Sequence, residues 1–222
     1  MSRSKLKKFE QLQYMSHVVQ PNRDDLLNDS FLIKGNWNKQ FKNSNPIVLE
    51  LGCGKGEYSV ALAKMFPNLN FIGIDIKGSR IHSGAKAVEL EKLNNVIFIR
   101  TQIEYIESLF ANNEIHEIWI TFPDPQIKYN RRKKRLTHPL MLEKYHNILM
   151  QNGMIHLKTD SLFLHGYTLG VLEKNFFKVH KAISNIYENQ YVDDRLLIKT
   201  HYENIFLKDS QPITYLSFSF LY

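Results

Sequence analysis

From residue 47 onward, short apolar runs alternate with longer stretches whose apolar positions recur at helical spacing. The runs at 47–51, 70–76, 96–100, 115–122 and 153–159 have the length and composition of buried strands. Between them, 58–66, 79–93, 103–110 and 140–150 read as helices, and Pro67 closes the first of these. A helix over 162–175, a strand over 176–182 and an alternating strand over 213–221 complete the series. Strands separated by helices of this length predict an α/β fold with a parallel sheet.

Two regions break the rhythm. Residues 1–46 are polar and mixed in charge. Leu6, Phe9, Leu12 and Met15 share one helical face there, and 31–41 reads as a further short helix. We expect a basic N-terminal arm or extension over 1–46, laid on a main domain over 47–222. Periodicity lapses again between 185 and 211, in a segment rich in Tyr, Asp, Asn and Lys. A patternless stretch this long inside a compact domain points to function.

Composition narrows the class. The chain has 222 residues, enough for one domain with a real core. Its net charge of +7 favours an acidic partner. Much of the excess lies in Lys128, Arg131, Arg132, Lys133, Lys134 and Arg135, and more in Arg3, Lys5, Lys7 and Lys8. Cys53 is the single cysteine, which excludes an internal disulfide and suits a reducing compartment. No run approaches the ~18 apolar residues of a membrane span, and the start lacks a secretory apolar region. We expect a cytoplasmic protein without a membrane partner. The nine histidines show no metal-ligand spacing, so no metal is expected.

Candidate chemistry begins where the run 47–51 passes into Gly52-Cys53-Gly54-Lys55-Gly56. Glycines at a strand-to-helix turn let the backbone approach a ligand, and the helix start offers N–H groups. Glu50 beside that turn disfavours a pyrophosphate and suits a cationic amino group. Asp75 ends the second run, 23 residues after Gly52, where an acid can accept ribose hydroxyls. A nucleoside with a positive tail and no phosphate fits both, and S-adenosylmethionine is such a ligand. The third glycine falls one position early for a dinucleotide fingerprint, though a nicotinamide site stays open. Cys53 reads as a small loop filler. Gln102, just past the third run, can reach an adenine edge, while a helix cap at Thr101 or Gln102 is the alternative. After the fourth run comes Phe122-Pro123-Asp124-Pro125, in which two prolines fix one carboxylate at a strand end. Six basic residues then fall within the eight positions from Lys128 to Arg135, suited to phosphates.

These pieces together resemble the tRNA (guanine-N7-)-methyltransferase family. The resemblance rests on the 50–56 glycine loop, Gly73-Ile74-Asp75, and Phe122-Pro123-Asp124-Pro125 with Lys128 and the basic run. Lys158-Thr159-Asp160 and Thr200-His201-Tyr202-Glu203 agree with it. It implies a Rossmann-like class I methyltransferase fold: a seven-stranded, mostly parallel sheet, helices on both faces and an antiparallel last strand. It further implies methylation of guanosine at N7, at tRNA position 46 in the variable loop, with S-adenosylmethionine as donor and S-adenosylhomocysteine as product. Glu50, Gly52, Gly54, Asp75, Gln102 and Asp124 would line the donor site, with Asp124 catalytic. Lys128, Asp160, Thr200 and Glu203 would contact the guanosine. Asn130, Arg131, Arg132, Lys133, Lys134 and Arg135 would contact the RNA. The chain departs from the family pattern at Gln102, Gln126, Asn130 and His201. For Asp160 a helix N-cap is the alternative role, and for 200–203 a plain surface loop. A methyltransferase acting on another RNA, or a non-catalytic RNA-binding subunit with this fold, stays open. Monomer and homodimer are both compatible with the sequence.

Overall fold

The computed structural model describes residues 3–175, 177–190 and 192–221. Phe176, the expected first residue of a strand, and the side chains of Arg3, Lys5 and Leu6 lie outside this set.

The strands are β1 (Val18–Val19), β2 (Ile47–Leu51), β3 (Asn70–Asp75), β4 (Val96–Arg100), β5 (Ile115–Thr121), β6 (Leu149–Thr159), β7 (Phe177–Ile183) and β8 (Thr214–Phe220). They form one sheet in the order β1-β4-β3-β2-β5-β6-β8-β7. Only β8 runs against its neighbours, between β6 and β7. The seven expected strands are all present, and β1 is an addition. Its two residues pair with Phe98 and Ile99 of β4, too short a strand for any periodicity to reveal.

Side chains alternate along the central strands, as a pleated backbone requires. Ile47, Leu49 and Leu51, Ile72 and Ile74, Ile97 and Ile99, and Ile118 and Ile120 pack into one cluster. That cluster takes Leu26 of α2 (Arg23–Leu27), Trp37 and Phe41 of α3 (Trp37–Phe41), and residues of α6 (Ile106–Leu109), α7 (Pro139–Ile148) and α8 (Leu162–Glu173). Val48, Phe71, Val96, Phe98 and Trp119 point the other way. They meet Leu12 of α1 (Arg3–Leu12) and residues of α4 (Glu57–Met65) and α5 (Gly78–Glu91). The last helix is α9 (His201–Lys208). None of the described helices is long and apolar enough to cross a membrane.

The segment before β2 is built into both faces. Leu12 and Trp37 are almost wholly enclosed, and the Trp37 indole N–H donates to the Leu109 carbonyl at 3.0 Å. The helix expected over 31–41 is confined to Trp37–Phe41, because Gly35 turns the chain at φ +73° just before it.

The patternless 185–211 segment folds too, through short 3-10 turns at Ile186–Glu188 and Asp194–Leu197 and then α9. Ile186 and Leu196 anchor it in the second cluster. Helix α9 escaped the periodicity for a specific reason: its one buried side chain is an acid, Glu203.

Candidate active site

Strand order reverses direction between β2 and β5, since the chain winds outward through β3 and β4 and then returns to the other side. Ligands of open α/β sheets bind at the carboxyl ends of strands at such a switch point. Glu50 of β2 and Thr121 of β5 meet there. Glu50 accepts from the Thr121 hydroxyl at 2.7 Å and from both the backbone N–H and hydroxyl of Ser59. Burial pushes its carboxyl up to about 7, against the opposing pull of those hydrogen bonds.

The glycine loop follows. Gly52 has φ +76°, and a Cβ there would meet nothing within 4 Å, so its open side faces the cleft. Gly56 differs, since a Cβ at that position would come within 2.4 Å of the Phe98 ring. One glycine leaves room for a ligand; the other lets helix α4 seat on the sheet. Cys53 is buried in the loop, and burial raises its thiol well above the ordinary range, consistent with a filler. Asp75 ends β3 and accepts from Gly54 N–H at 2.9 Å and Lys77 N–H at 2.7 Å. The second strand's acid thus braces the first strand's loop.

Two adjoining clefts open over these residues. One, of about 470 Å³, is lined by Asp75, Ile76, Gln102, Ile103, Lys134 and Leu136 among others. The other, of about 300 Å³, is lined by Glu50, Gly54, Lys55, Glu57, Thr121, Asp160, Thr200, Tyr202 and Phe206 among others. Gly52, Arg80, Phe122, Pro123 and Asp124 line both. Asp124 therefore stands where the two meet, exposed, with one oxygen held by the Gln126 N–H at 2.9 Å.

The loop carrying Asp124 is bracketed by two strained residues. Phe122 has φ +47° and Gln126 φ +46°, both left-handed without being glycine. The Phe122 N–H donates to the Lys158 carbonyl at 2.8 Å, which fixes one end. Arg135 fixes the other. Its guanidinium donates to the carbonyls of Pro125 and Gln126 at 3.3 and 3.1 Å, and lies over the rings of Phe163 and Tyr167. Arg135 is buried, so the expected RNA role does not match its place: it turns inward to close the loop. Asn130, Arg131, Lys133 and Lys134 remain exposed on a 3-10 turn, Tyr129–Lys134, as does Lys128 ahead of it. Arg132 folds back over the Tyr129 ring at 4.0 Å.

The remaining expected residues divide. Asp160 lines the cleft of about 300 Å³, and burial raises its carboxyl above the ordinary carboxylate range. It does not cap the next helix; Ser161 does, accepting from Leu164 N–H. Gln102 holds the cap position of the 3-10 turn Ile103–Tyr105 without a side-chain bond, which leaves its amide to the cleft. Thr200 lines the cleft and caps α9. Glu203 is fully enclosed and lies outside the lining. It accepts from Lys158 at 2.7 Å, from the Tyr187 hydroxyl at 2.8 Å and from the Thr200 N–H at 3.4 Å. Thr200 and Glu203 form a capping box, a spacing visible in the sequence as Thr-x-x-Glu. Glu203 thus reaches the cleft only through Thr200.

Sequence reasoning missed Ser59 and Thr121, which satisfy Glu50, and Arg80, Glu57, Tyr202 and Phe206, which line the cleft. Glu57 accepts from the His201 N–H at 2.8 Å and so ties the glycine-loop helix to α9. Polar residues beside the glycine turn were the available signal for Glu57 and Ser59; none marked Arg80 or Phe206.

Sheet order, glycine turn and the acid at the end of β3 place the chain among the Rossmann-like class I methyltransferases. A family model described as "Putative methyltransferase" matches residues 44–216. A tRNA (guanine-N(7)-)-methyltransferase from Christiangramia forsetii is 53% identical over 219 residues, 98% of each chain. One of the same name from Bacteroides fragilis is 46% identical over 219 residues, covering 98% of this chain and 86% of its own. A solved SAM dependent methyltransferase from Aquifex aeolicus shares the fold at TM-score 0.55 and 14% identity, covering 96% of this chain and 98% of that one. The chain belongs to the tRNA (guanine-N(7)-)-methyltransferase family.

Proposed function

We propose that this protein transfers the methyl group of S-adenosylmethionine to N7 of guanosine at position 46 of the tRNA variable loop. The observation that carries the reading is the place of Asp124, at the junction of two clefts and seven positions before the first arginine of an exposed cationic turn.

The cleft suits the donor. Open space beside Gly52 leaves room for a ligand against the backbone, and Asp75 and Gln102 offer polar contacts between the apolar walls of Ile76 and Ile103. Asp75 and Gln102 would hold the nucleoside, and Glu50 would set the negative potential beneath the amino-acid tail. The donor, when bound, supplies an electrophilic methyl on a sulfonium. Guanine N7 carries a free lone pair and has no proton to lose, so the transfer needs positioning more than a general base. The purine gains positive charge as N7 is alkylated. Asp124, fixed by the strained loop, faces that charge and stabilises it. Asp160 accepts from the N1–H and N2–H₂ edge that adenine lacks, Thr200 lies beside it, and Glu203 positions Thr200. Lys128, Asn130, Arg131, Arg132, Lys133 and Lys134 engage phosphates, which orient RNA without reading bases.

The test is transfer of a labelled methyl group to unmodified tRNA, with the product nucleoside identified and located by mass spectrometry. We expect 7-methylguanosine at position 46. Asp124→Ala should lower the rate constant by about 100-fold or more while S-adenosylmethionine still binds in calorimetry. A different methylated nucleoside would refute the reading.

A further inference from the structure

Arg80, the third residue of α5, lines both clefts and is half-buried. Its guanidinium carbon sits 5.4 Å from the centre of the Tyr202 ring. Three other arginines that are at least partly buried spend their donors on the protein itself. Arg195 pairs with Glu117 and Asp193, Arg135 holds loop carbonyls, and Arg100 donates to Gln20. Among the described residues the Arg80 side chain makes no ion pair and no hydrogen bond. The cleft therefore contains a guanidinium with free donors, and the carboxylates of Asp124 and Asp160 line the same cleft.

Those acids suit base edges and cationic charge, and they repel anions. The guanidinium suits the reverse. Its planar fork matches the geometry of a phosphate, and a cation–π contact with an aromatic ring restrains it. A guanosine delivered within an RNA strand carries a phosphate on either side. Tyr202 and Thr200 line only the cleft of about 300 Å³, whereas Asp75 and Gln102 line only the cleft of about 470 Å³. The contact with Tyr202 thus places the Arg80 guanidinium beside the part of the site that receives the base. We propose that Arg80, held by Tyr202, is an anion subsite that binds a phosphate flanking the target guanosine. This rests on the reading of the site as that of a tRNA methyltransferase. The same fork also matches the carboxylate of the donor's amino-acid tail, and the experiment separates the two.

Arg80→Ala and Arg80→Lys are compared with the wild type in three measurements: calorimetric affinity for S-adenosylmethionine, tRNA binding over a salt series, and steady-state methyl transfer. For Arg80→Ala the donor affinity should stay within about twofold. kcat/KM for tRNA should fall by about 10- to 100-fold, as for a lost charge-assisted hydrogen bond. The slope of log affinity against log salt should become shallower by about 0.7 to 0.9, one phosphate contact. Arg80→Lys should restore the slope but only part of kcat/KM. Donor binding weakened tenfold with tRNA binding unchanged would overturn the proposal and assign Arg80 to the carboxylate. No change in any measurement would overturn it as well. A wild type that binds the donor yet methylates no tRNA would instead refute the function on which the proposal rests, a result distinct from an Arg80→Ala variant that matches an active wild type.

Discussion

Glu50 shows how a single residue can be placed correctly and still differ in what it does. Its carboxylate lines the cleft, but Ser59 and Thr121 engage both oxygens. Desolvation in that pocket raises its pKa from 4.5 to about 7. The folded state therefore binds this proton more tightly than the unfolded chain does. The associated stability is present in full below pH 4.5 and is lost as pH rises through about 7. Between pH 4.5 and 8 the ligand-free protein should lose about 3 kcal/mol from this source. Glu50→Gln should abolish that component, seen as a flatter pH dependence of the urea midpoint. A variant with the wild-type slope would locate the titration elsewhere. Asp160 is raised in the same sense and by the same cause, burial.

At the scale of an element, the loop from β5 to the cationic turn is the informative one. Two prolines and two left-handed non-glycine residues hold Asp124 in one place. Such conformations cost about 1–3 kcal/mol each and persist only where the surroundings enforce them. Arg135 supplies much of that enforcement through the carbonyls of Pro125, Gln126 and Ile127. The basic run, uniform in sequence, thus has two functions divided by direction. Arg135→Ala should lower kcat for methyl transfer while the salt dependence of tRNA binding stays at the wild-type slope. The double substitution Arg131→Ala and Lys133→Ala should do the opposite, flattening the slope by about 1.4 to 1.8 with kcat at saturating tRNA retained. Equal effects of the two variants on the salt slope would show that Arg135 also meets RNA.

Across the whole molecule, one ammonium fastens the C-terminal segment to the sheet. Lys158 of β6 is fully enclosed, and it donates to the carbonyls of Leu196 and Ile198 and to Glu203 at 2.7, 2.9 and 2.7 Å. Burial lowers its pKa, and the Glu203 carboxylate opposes that shift. Removing one member of a buried pair leaves the other charge uncompensated, so Lys158→Met should cost about 3–5 kcal/mol in urea unfolding. Adding Glu203→Gln should recover part of the loss; additive losses would mean the two do not act as a pair.

The same bond explains what a linear reading can and cannot supply. Runs of Ile, Val and Leu at strand length, helical stretches between them, the glycine turn and the acid closing the next strand are local patterns. Local sterics and burial impose them, so the sequence by itself determined the α/β class, the seven main strands and the positions of Glu50, Asp75 and Asp124. Tertiary structure decided the rest. Strand β1 exists because two residues lie against β4, and α9 because Glu203 finds a buried cation 45 residues away. Arg135 faces inward because α8 offers two rings, and Glu203 faces away from the cleft because Lys158 and Tyr187 take its oxygens. Arg80 faces the cleft because Tyr202 closes over it from the far end of the chain. A side chain's charge is written in the sequence, but its direction is set by partners distant along it.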